Sequence, residues 1–263
     1  MLATLPAQES FFSYPTFDCP LHVFRFYQLA DWFENLQSLL IHVPELYLEF
    51  FLRGLREQDL QWMQQIPMLH FNILNQNIKL MPQPEVVRRL QILGGKGTQT
   101  VAHDAYCNQE MRDRYSVSLH RLRAHKHSRY TLRGYSEKEQ LLAYSPDDNP
   151  NKQKVLDLLT KEFPQLELRE IRDLKYEEYL ELISRAKWVI TFGEGWDAYF
   201  VQPFLSGGIS FAVYNKDFFL PEQKIWPTVF ESYEALLAAL PKRMRELDEK
   251  AAYMRVNAQM AEI

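Results

Sequence analysis

The residues with the clearest chemical potential form a glycine-flanked turn, Gly193-Glu194-Gly195. An apolar run at 188–192 stops at this turn, and a helix-length segment follows it. Glycine lets backbone N–H groups approach a ligand closely, and the N-terminus of a helix favours phosphate. The sequence therefore predicts an anion site at the carboxyl end of a buried strand. The alternative is that the glycines only form the turn, with Glu194 solvated beside a helix start.

Two lysines add to this prediction. Lys152 and Lys154 fall in the first turns of a helix that Asn149 and Pro150 are expected to open as N-cap and first helical residue. The helix dipole disfavours cations there, and a bound anion would offset that cost. Lys152 is preferred because it is nearer the preceding loop. Exposure of both side chains, at little cost, is the equally open alternative.

An acidic run precedes the same helix. Carboxylates such as Asp147 and Asp148 at a strand end can hold Mg²⁺ or Mn²⁺ beside phosphates. The run Asp147-Asp148-Asn149 also makes an ordinary helix cap before Pro150, and this interpretation is preferred. We therefore predict no metal site.

Composition limits the remaining possibilities. The 263 residues carry a net charge of −4 with 46% hydrophobic residues, which predicts a packed core and no broad attraction to nucleic acid or anionic membranes. Cys19 and Cys107 lack metal-ligand spacing, and free thiols in a reducing compartment are favoured over one disulfide. The first residues do not resemble a signal peptide, and no apolar run approaches ~18 residues. We expect a soluble cytoplasmic protein without a transmembrane segment.

The second half alternates strands with helices. Apolar runs predict strands at 141–145, 166–171, 188–192 and 209–214. Apolar residues at helical spacing lie between them, and more helices are expected from about Ser232, with Pro241 breaking or kinking them. This alternation predicts a parallel α/β sheet, whose ligands lie beyond the carboxyl ends of the strands.

The first half is less regular. Strands are predicted at 39–43, within 69–80 and at 98–102, and helices at 47–55 and 86–93. The polar stretch at 134–139 is the best candidate for a domain boundary. We therefore expect two domains, residues 1–135 and 136–263.

The segment 141–215 resembles the donor-binding half of a GT-B glycosyltransferase, especially the retaining enzymes grouped as family 4. In that family a strand ends in a turn with Glu-Gly, and a second Glu follows eight positions on. Here Glu194-Gly195 stands at the first position and Gln202 at the second, where the family usually has Glu. Ser206-Gly207 is similar to the small pair that closes the helix.

The resemblance implies roles for these residues. Glu194 is expected beside the donor sugar, the backbone after it against the diphosphate, and residue 202 at the ribose, where Gln can both donate and accept hydrogen bonds. The family similarly has a basic residue near Lys152, and a loop near Tyr176 that frames the nucleobase. Tyr176 also fits a core stripe with Tyr179, which is the preferred interpretation. The donor-binding candidates are Lys152, Gly193, Gly195, Trp196, Asp197, Gln202 and Tyr176.

His103-Asp104 closes the predicted strand at 98–102, where similar enzymes have a His or His-Asp pair facing the donor sugar. A histidine there can bond a sugar hydroxyl or transfer a proton near neutral pH. The alternative is a structural His103 beside an N-cap Asp104. His42 with Glu45, and the amides Asn72, Asn75, Gln76 and Asn77, are weaker candidates for the acceptor side.

The resemblance thus implies a GT-B-like α/β fold with two Rossmann-like domains, parallel sheets and a cleft between them. A UDP-, GDP- or dTDP-sugar would donate its sugar to a saccharide or other hydroxyl acceptor, in polysaccharide or glycoconjugate biosynthesis. The expected catalytic residues are Glu194, His103 and Asp104, with no cofactor or metal. The alternatives are a non-catalytic partner subunit that binds sugar or nucleotide, and a metal-dependent enzyme that uses Asp147.

Overall fold

A computed structural model describes residues 2–4, 23–33, 35–122 and 130–262 of the chain. It is an α/β protein with a four-stranded and a five-stranded parallel sheet, which confirms the predicted class. The chain forms two compact units, Met1–Ala124 and His125–Ile263. Among the described residues, no helix combines the length and apolar character that crossing a lipid bilayer requires.

The first unit contains a parallel strand pair and the four-stranded sheet. Its strands are β1 (Leu2–Thr4), β2 (Val23–Arg25), β3 (Ser38–Pro44), β4 (Met68–Asn75), β5 (Lys96–Val101) and β6 (Ser118–Arg121). Its helices are α1 (Gln28–Trp32), α2 (Leu48–Gly54), α3 (Glu57–Gln64), α4 (Pro84–Ile92) and α5 (Gln109–Tyr115). Strands β3 to β6 lie side by side in chain order, and each neighbouring pair is parallel.

This strand order determines where the helices lie. Right-handed connections, the rule for parallel strands, place every crossover on the same face when each strand is added on the same side. The buried residues of α1 to α5 accordingly share one apolar cluster with Val43, Phe71, Ile73, Val101 and Leu119 of the sheet. The first unit is therefore built from two layers within its described residues.

The second unit contains the five-stranded sheet, in the order β11-β10-β9-β7-β8. Its strands are β7 (Glu139–Tyr144), β8 (Glu167–Glu170), β9 (Ala186–Ile190), β10 (Ile209–Val213) and β11 (Val229–Phe230). Its helices are α6 (Lys152–Glu162), α7 (Tyr176–Arg185), α8 (Ala198–Leu205), α9 (Tyr233–Leu247) and α10 (Lys250–Ala261). Strand β9 is buried along its whole length, as expected for a central parallel strand.

Helix α10 closes the second unit. The Tyr253 side chain is almost fully buried, and its hydroxyl lies 2.9 Å from the backbone oxygen of Lys187 and 3.1 Å from that of Gly207. The hydroxyl thus joins α10 to the start of β9 and to the turn before β10. The Tyr253 ring also packs edge-on against Trp188.

Two helix predictions prove wrong. Helix α6 begins at Lys152 with Asn151 as its N-cap residue, and not at Pro150 after Asn149. Asn149 lies in the turn before this start, where its side-chain oxygen accepts the backbone N–H of Asn151 at 2.9 Å. Helix α9 also continues through Pro241 to Leu247, so the predicted break is wrong, whereas the alternative of a kink stays a prediction. Leu240 and Pro241 are both buried, so packing holds the helix together across the missing backbone donor.

Candidate functional site

A pocket of about 480 Å³ opens at the carboxyl ends of β9 and β10. This is the edge at which ligands of parallel α/β sheets bind. The lining residues that matter most for the chemistry are Asn149, Gly193, Gly195, Asn215, Lys216 and Tyr233. The two glycines of the predicted turn are therefore part of a pocket that also includes Asn149, Asn215, Lys216 and Tyr233, none of which was predicted to contact a ligand.

The turn at Gly193 and Gly195 packs closely against other parts of the protein. Gly195 has a φ of +88°, and an added Cβ would lie 2.6 Å from the Phe219 ring and 2.8 Å from the Val213 carbonyl oxygen. An added Cβ at Gly193 would lie 2.8 to 3.0 Å from the Asp147 carboxyl group. Gly195 thus needs glycine because of its φ and its contact with backbone, whereas Gly193 is limited by one side chain. The side chain of Glu194, between them, is half-buried.

The start of α8 is occupied by its own cap. The Asp197 carboxylate accepts the Phe200 backbone N–H at 3.0 Å and the Thr191 hydroxyl at 2.7 Å. Burial raises the pKa of Asp197 above its ordinary value, and the nearby Asp147 adds to this. A carboxyl group therefore stands where an anion at the α8 tip was predicted. Asp197 is not among the residues that line the pocket.

Lys152 is engaged in an ion pair. Its ammonium lies 2.7 Å from Glu170 Oε1 and 3.3 Å from the Asp147 carbonyl oxygen, and the side chain is only 15% exposed. Glu170 also accepts hydrogen bonds from Arg172, and these contacts with Arg172 and Lys152 lower the pKa of Glu170 to about 2. The negative charge beside Lys152, which was predicted to come from a bound anion, is thus supplied by Glu170.

Lys216 is the cation of the pocket. It follows Asn215 just beyond β10, it is exposed, and it is the only charged residue among those that line the pocket. Within the described part of the chain Lys216 makes no ion pair. The sequence signal for it was available, because Asn215-Lys216 directly follows a predicted strand.

Asn149 connects three segments around the pocket. Its amide nitrogen donates to the Phe192 carbonyl oxygen at 3.1 Å and to the Tyr233 hydroxyl at 2.8 Å. Its side-chain oxygen accepts the backbone N–H of Asn151 at 2.9 Å. The Tyr233 and Phe192 rings stack with their planes 6° apart. Burial raises the pKa of Tyr233 to about 12, so its hydroxyl stays protonated.

The other donor-side candidates lie away from the pocket lining. Trp196 packs against the rings of Phe219 and Trp226, with centroids 5.5 and 5.3 Å away. Gln202 is half-buried on α8, and its side-chain oxygen has no hydrogen-bond partner among the described residues. Tyr176 is 39% exposed at the start of α7 and lies beside the buried Tyr179, at 6.2 Å between ring centroids.

His103 and Asp104 follow β5 in the first unit. His103 is buried, and burial lowers the pKa of its imidazole to about 4, with Arg121 contributing. Asp104 forms an ion pair with Arg121 at 2.5 Å. The imidazole is therefore neutral at pH 7, which suits hydrogen bonding and disfavours the proton transfer predicted near neutral pH.

The acceptor-side candidates have structural contacts. Glu45 accepts the backbone N–H groups of Gln76 and Asn77 at 2.5 and 3.3 Å, and His42 bonds Asn72. Asn75 donates to the Gln99 side chain at 3.0 Å.

The described residues include no group of three or more His, Cys, Asp or Glu side chains suited to a metal ion. Cys107 is a free thiol, whereas Cys19 lies outside the described residues.

Comparison with known protein families finds no family model that matches the chain, and comparison with curated proteins finds no matching sequence.

Proposed function

We propose that the chain is a GT-B-like glycosyltransferase that moves a sugar from a nucleotide-diphosphate donor to a saccharide or other hydroxyl acceptor. The observation that carries this proposal is the pocket of the second unit. There one ammonium group, on Lys216, lines the same space as the turn formed by Gly193 and Gly195. A pocket of about 480 Å³ lies in the ordinary size range for a small-molecule site.

The chemistry of the pocket supports a diphosphate ligand. In the proposed reaction an acceptor hydroxyl attacks the anomeric carbon, the bond to the phosphate oxygen breaks, and the nucleoside diphosphate leaves with the electron pair. The hydroxyl proton passes to that departing oxygen. The Lys216 ammonium and the backbone N–H groups of the turn would stabilise the negative charge that develops on the phosphate. Glu194, within the turn, would orient the donor sugar.

Two lysines give a matched test. Titration calorimetry would compare UDP, GDP and dTDP with their nucleosides for the parent chain, Lys216→Gln and Lys152→Gln. Losing a hydrogen bond to a charged phosphate costs about 1.5–3 kcal/mol, or about 10- to 100-fold in affinity. We expect Lys216→Gln to weaken diphosphate binding by that factor and to leave nucleoside binding unchanged.

Lys152→Gln is the control for a general loss of positive charge, because its ammonium is already paired with Glu170. Equal losses in both variants, or equal losses for nucleotide and nucleoside, would refute the phosphate role of Lys216. Binding by the parent chain, followed by an assay for sugar release and transfer, then tests turnover.

The second candidate is a non-catalytic chain of the same architecture. Two observations favour it: Asp197 occupies the α8 tip, and Gln202 stands where the similar family usually has Glu. Nucleotide-sugar binding without release of the nucleotide, even with acceptor extracts present, would support this candidate over the enzyme.

A further inference from the structure

One face of the first sheet is polar and has no described helix against it. The strand register places His42, Asn72 and Thr98 in one row, with Leu40 beside His70 and with Thr100 beside His120. These side chains share the face opposite the apolar cluster that holds α1 to α5, because side chains alternate along a strand. We call this surface the open face.

A hydrogen-bond network fixes the centre of the open face. Asn72 is only 7% exposed, and its side-chain oxygen accepts the hydroxyls of Thr98 and Thr100, each at 3.0 Å. Its amide nitrogen donates to His42 Nδ1 at 3.1 Å. The Thr98 hydroxyl donates its only hydrogen to Asn72, so its oxygen accepts a hydrogen bond from His70 Nε2 at 2.9 Å.

The network determines the free hydrogen-bonding groups. With Nδ1 accepting, neutral His42 carries its proton on Nε2, which is a donor. With Nε2 donating, the neutral form of the His70 ring has its lone pair on Nδ1, which can then accept a hydrogen bond. Leu40 and Met68, exposed at 54% and 64%, supply apolar surface at the same face. The open face thus offers oriented neutral donors and acceptors next to aliphatic carbon.

We propose that the open face binds a neutral saccharide chain. Sugar hydroxyls both donate and accept, so they complement an imidazole N–H beside an imidazole lone pair, while the C–H faces of sugar rings suit Leu40 and Met68. The register rows of the open face contain Lys96 and no acidic residue, so nothing there would attract a cationic ligand. A role as the acceptor surface rests on the proposed function; the binding of saccharide does not.

A covering protein element fits this face less well. Parallel sheets are commonly apolar and covered on both faces. A helix packed here would bury the ring nitrogens of His42 and His70 that lie outside the network, and its apolar side chains could not replace the water that solvates them. Saccharide hydroxyls can replace that water group for group. The polar character of the strands is therefore better matched to a hydrated ligand than to a second apolar layer.

The test is a nitrogen-15 NMR titration of the full chain with maltohexaose and with cellohexaose, as probes of α- and β-linked neutral chains. At about 10 mM, a site with a Kd of about 1 mM is mostly occupied. We expect amide shifts concentrated on β3, β4 and β5. His42→Ala removes one exposed partner and should weaken saccharide binding about 3- to 10-fold. Gln61→Ala, exposed on the helix side of the unit, is the matched control and should change nothing.

The outcomes are distinct. The absence of amide shifts on these strands with both probes, or equal weakening in His42→Ala and Gln61→Ala, would overturn the proposal. A parent chain that sediments as a dimer and a His42→Ala chain that sediments as a monomer would also overturn it, because a second copy would then cover the face. Binding of UDP, GDP and dTDP is measured in the same samples. Saccharide shifts without binding of any of the three nucleotides would refute the proposed function and leave the open face as a saccharide site.

Discussion

Replacing Gly195 with alanine would test how the glycine turn is held. The alanine must keep a φ of +88°, which costs an L-residue about 1–2 kcal/mol. Its Cβ would also lie 2.6 Å from the Phe219 ring and 2.8 Å from the Val213 carbonyl oxygen. That oxygen belongs to the backbone of β10, which is held in the sheet and cannot move aside. Overpacking therefore adds about 1–3 kcal/mol. We expect Gly195→Ala to lower the free energy of unfolding by about 2–5 kcal/mol.

Alanine variants at two other glycines separate the conformational cost from the cost of overpacking. Gly94 has a φ of +83° with no atom within 4 Å of an added Cβ, so Gly94→Ala should cost only the conformational part, about 1–2 kcal/mol. Gly193 has no positive φ, and its added Cβ meets only the Asp147 side chain. Gly193→Ala should therefore cost less than Gly195→Ala, since a side chain can rotate away.

Urea unfolding of the three variants, followed by circular dichroism and by tryptophan fluorescence, gives the comparison. Trp196 adjoins the turn and packs on Phe219, so its emission reports locally. If Gly195→Ala costs no more than Gly94→Ala, the close contacts behind the turn are not rigid and the reasoning is refuted.

Two further predictions concern buried polar groups. Burial lowers the pKa of the His103 imidazole from 6.5 to about 4. Between these two pH values the imidazole is protonated in the unfolded chain and neutral in the folded chain. The contribution of His103 to the free energy of unfolding should be complete above pH 6.5 and should fall by about 3 kcal/mol as the pH is lowered to 4. Denaturation of the parent chain and of His103→Asn across that range measures the free energy of unfolding. The same pH dependence in both chains would contradict the prediction. Tyr253→Phe leaves the carbonyls of Lys187 and Gly207 without the hydroxyl, which should cost about 1–3 kcal/mol. Calorimetric melting of the variant tests this, and an unchanged Tm would show that other groups satisfy both carbonyls.

The fold class follows from the sequence because apolar runs and helical stripes alternate. Strands β7, β9 and β10 lie within a few residues of their predicted positions, and the rule for parallel sheets indicated the edge where the pocket opens. Strand β6, Ser118–Arg121, was missed for a physical reason. One of its faces belongs to the polar open face, so it contains no apolar run that could mark it as a strand.

The charge pairing of the site was not predictable in the same way. Lys152 bonds Glu170 because β7 and β8 are neighbours in the sheet, a fact about strand order that no local pattern contains. Asn149 was predicted as a helix cap, and its side-chain oxygen does bond the turn before α6. Its amide nitrogen also donates to Tyr233, which lies far along the chain and which no local pattern indicates. Lys216 was not predicted because glycine turns and helix starts are the usual signals of an anion site, and Lys216 lies in the loop after β10.

The hydrogen bond between Asn149 and Tyr233 spans 84 positions of the chain. Two walls of the pocket are therefore brought together only in a unit in which α9 is docked. A nascent chain that lacks α9 cannot present a finished binding cavity. Conversely, any ligand that contacts both walls acts as a non-covalent cross-link, and it stabilises the folded unit in proportion to the logarithm of its concentration above Kd. Melting temperature then serves as a screen for the natural ligand that needs no knowledge of the reaction.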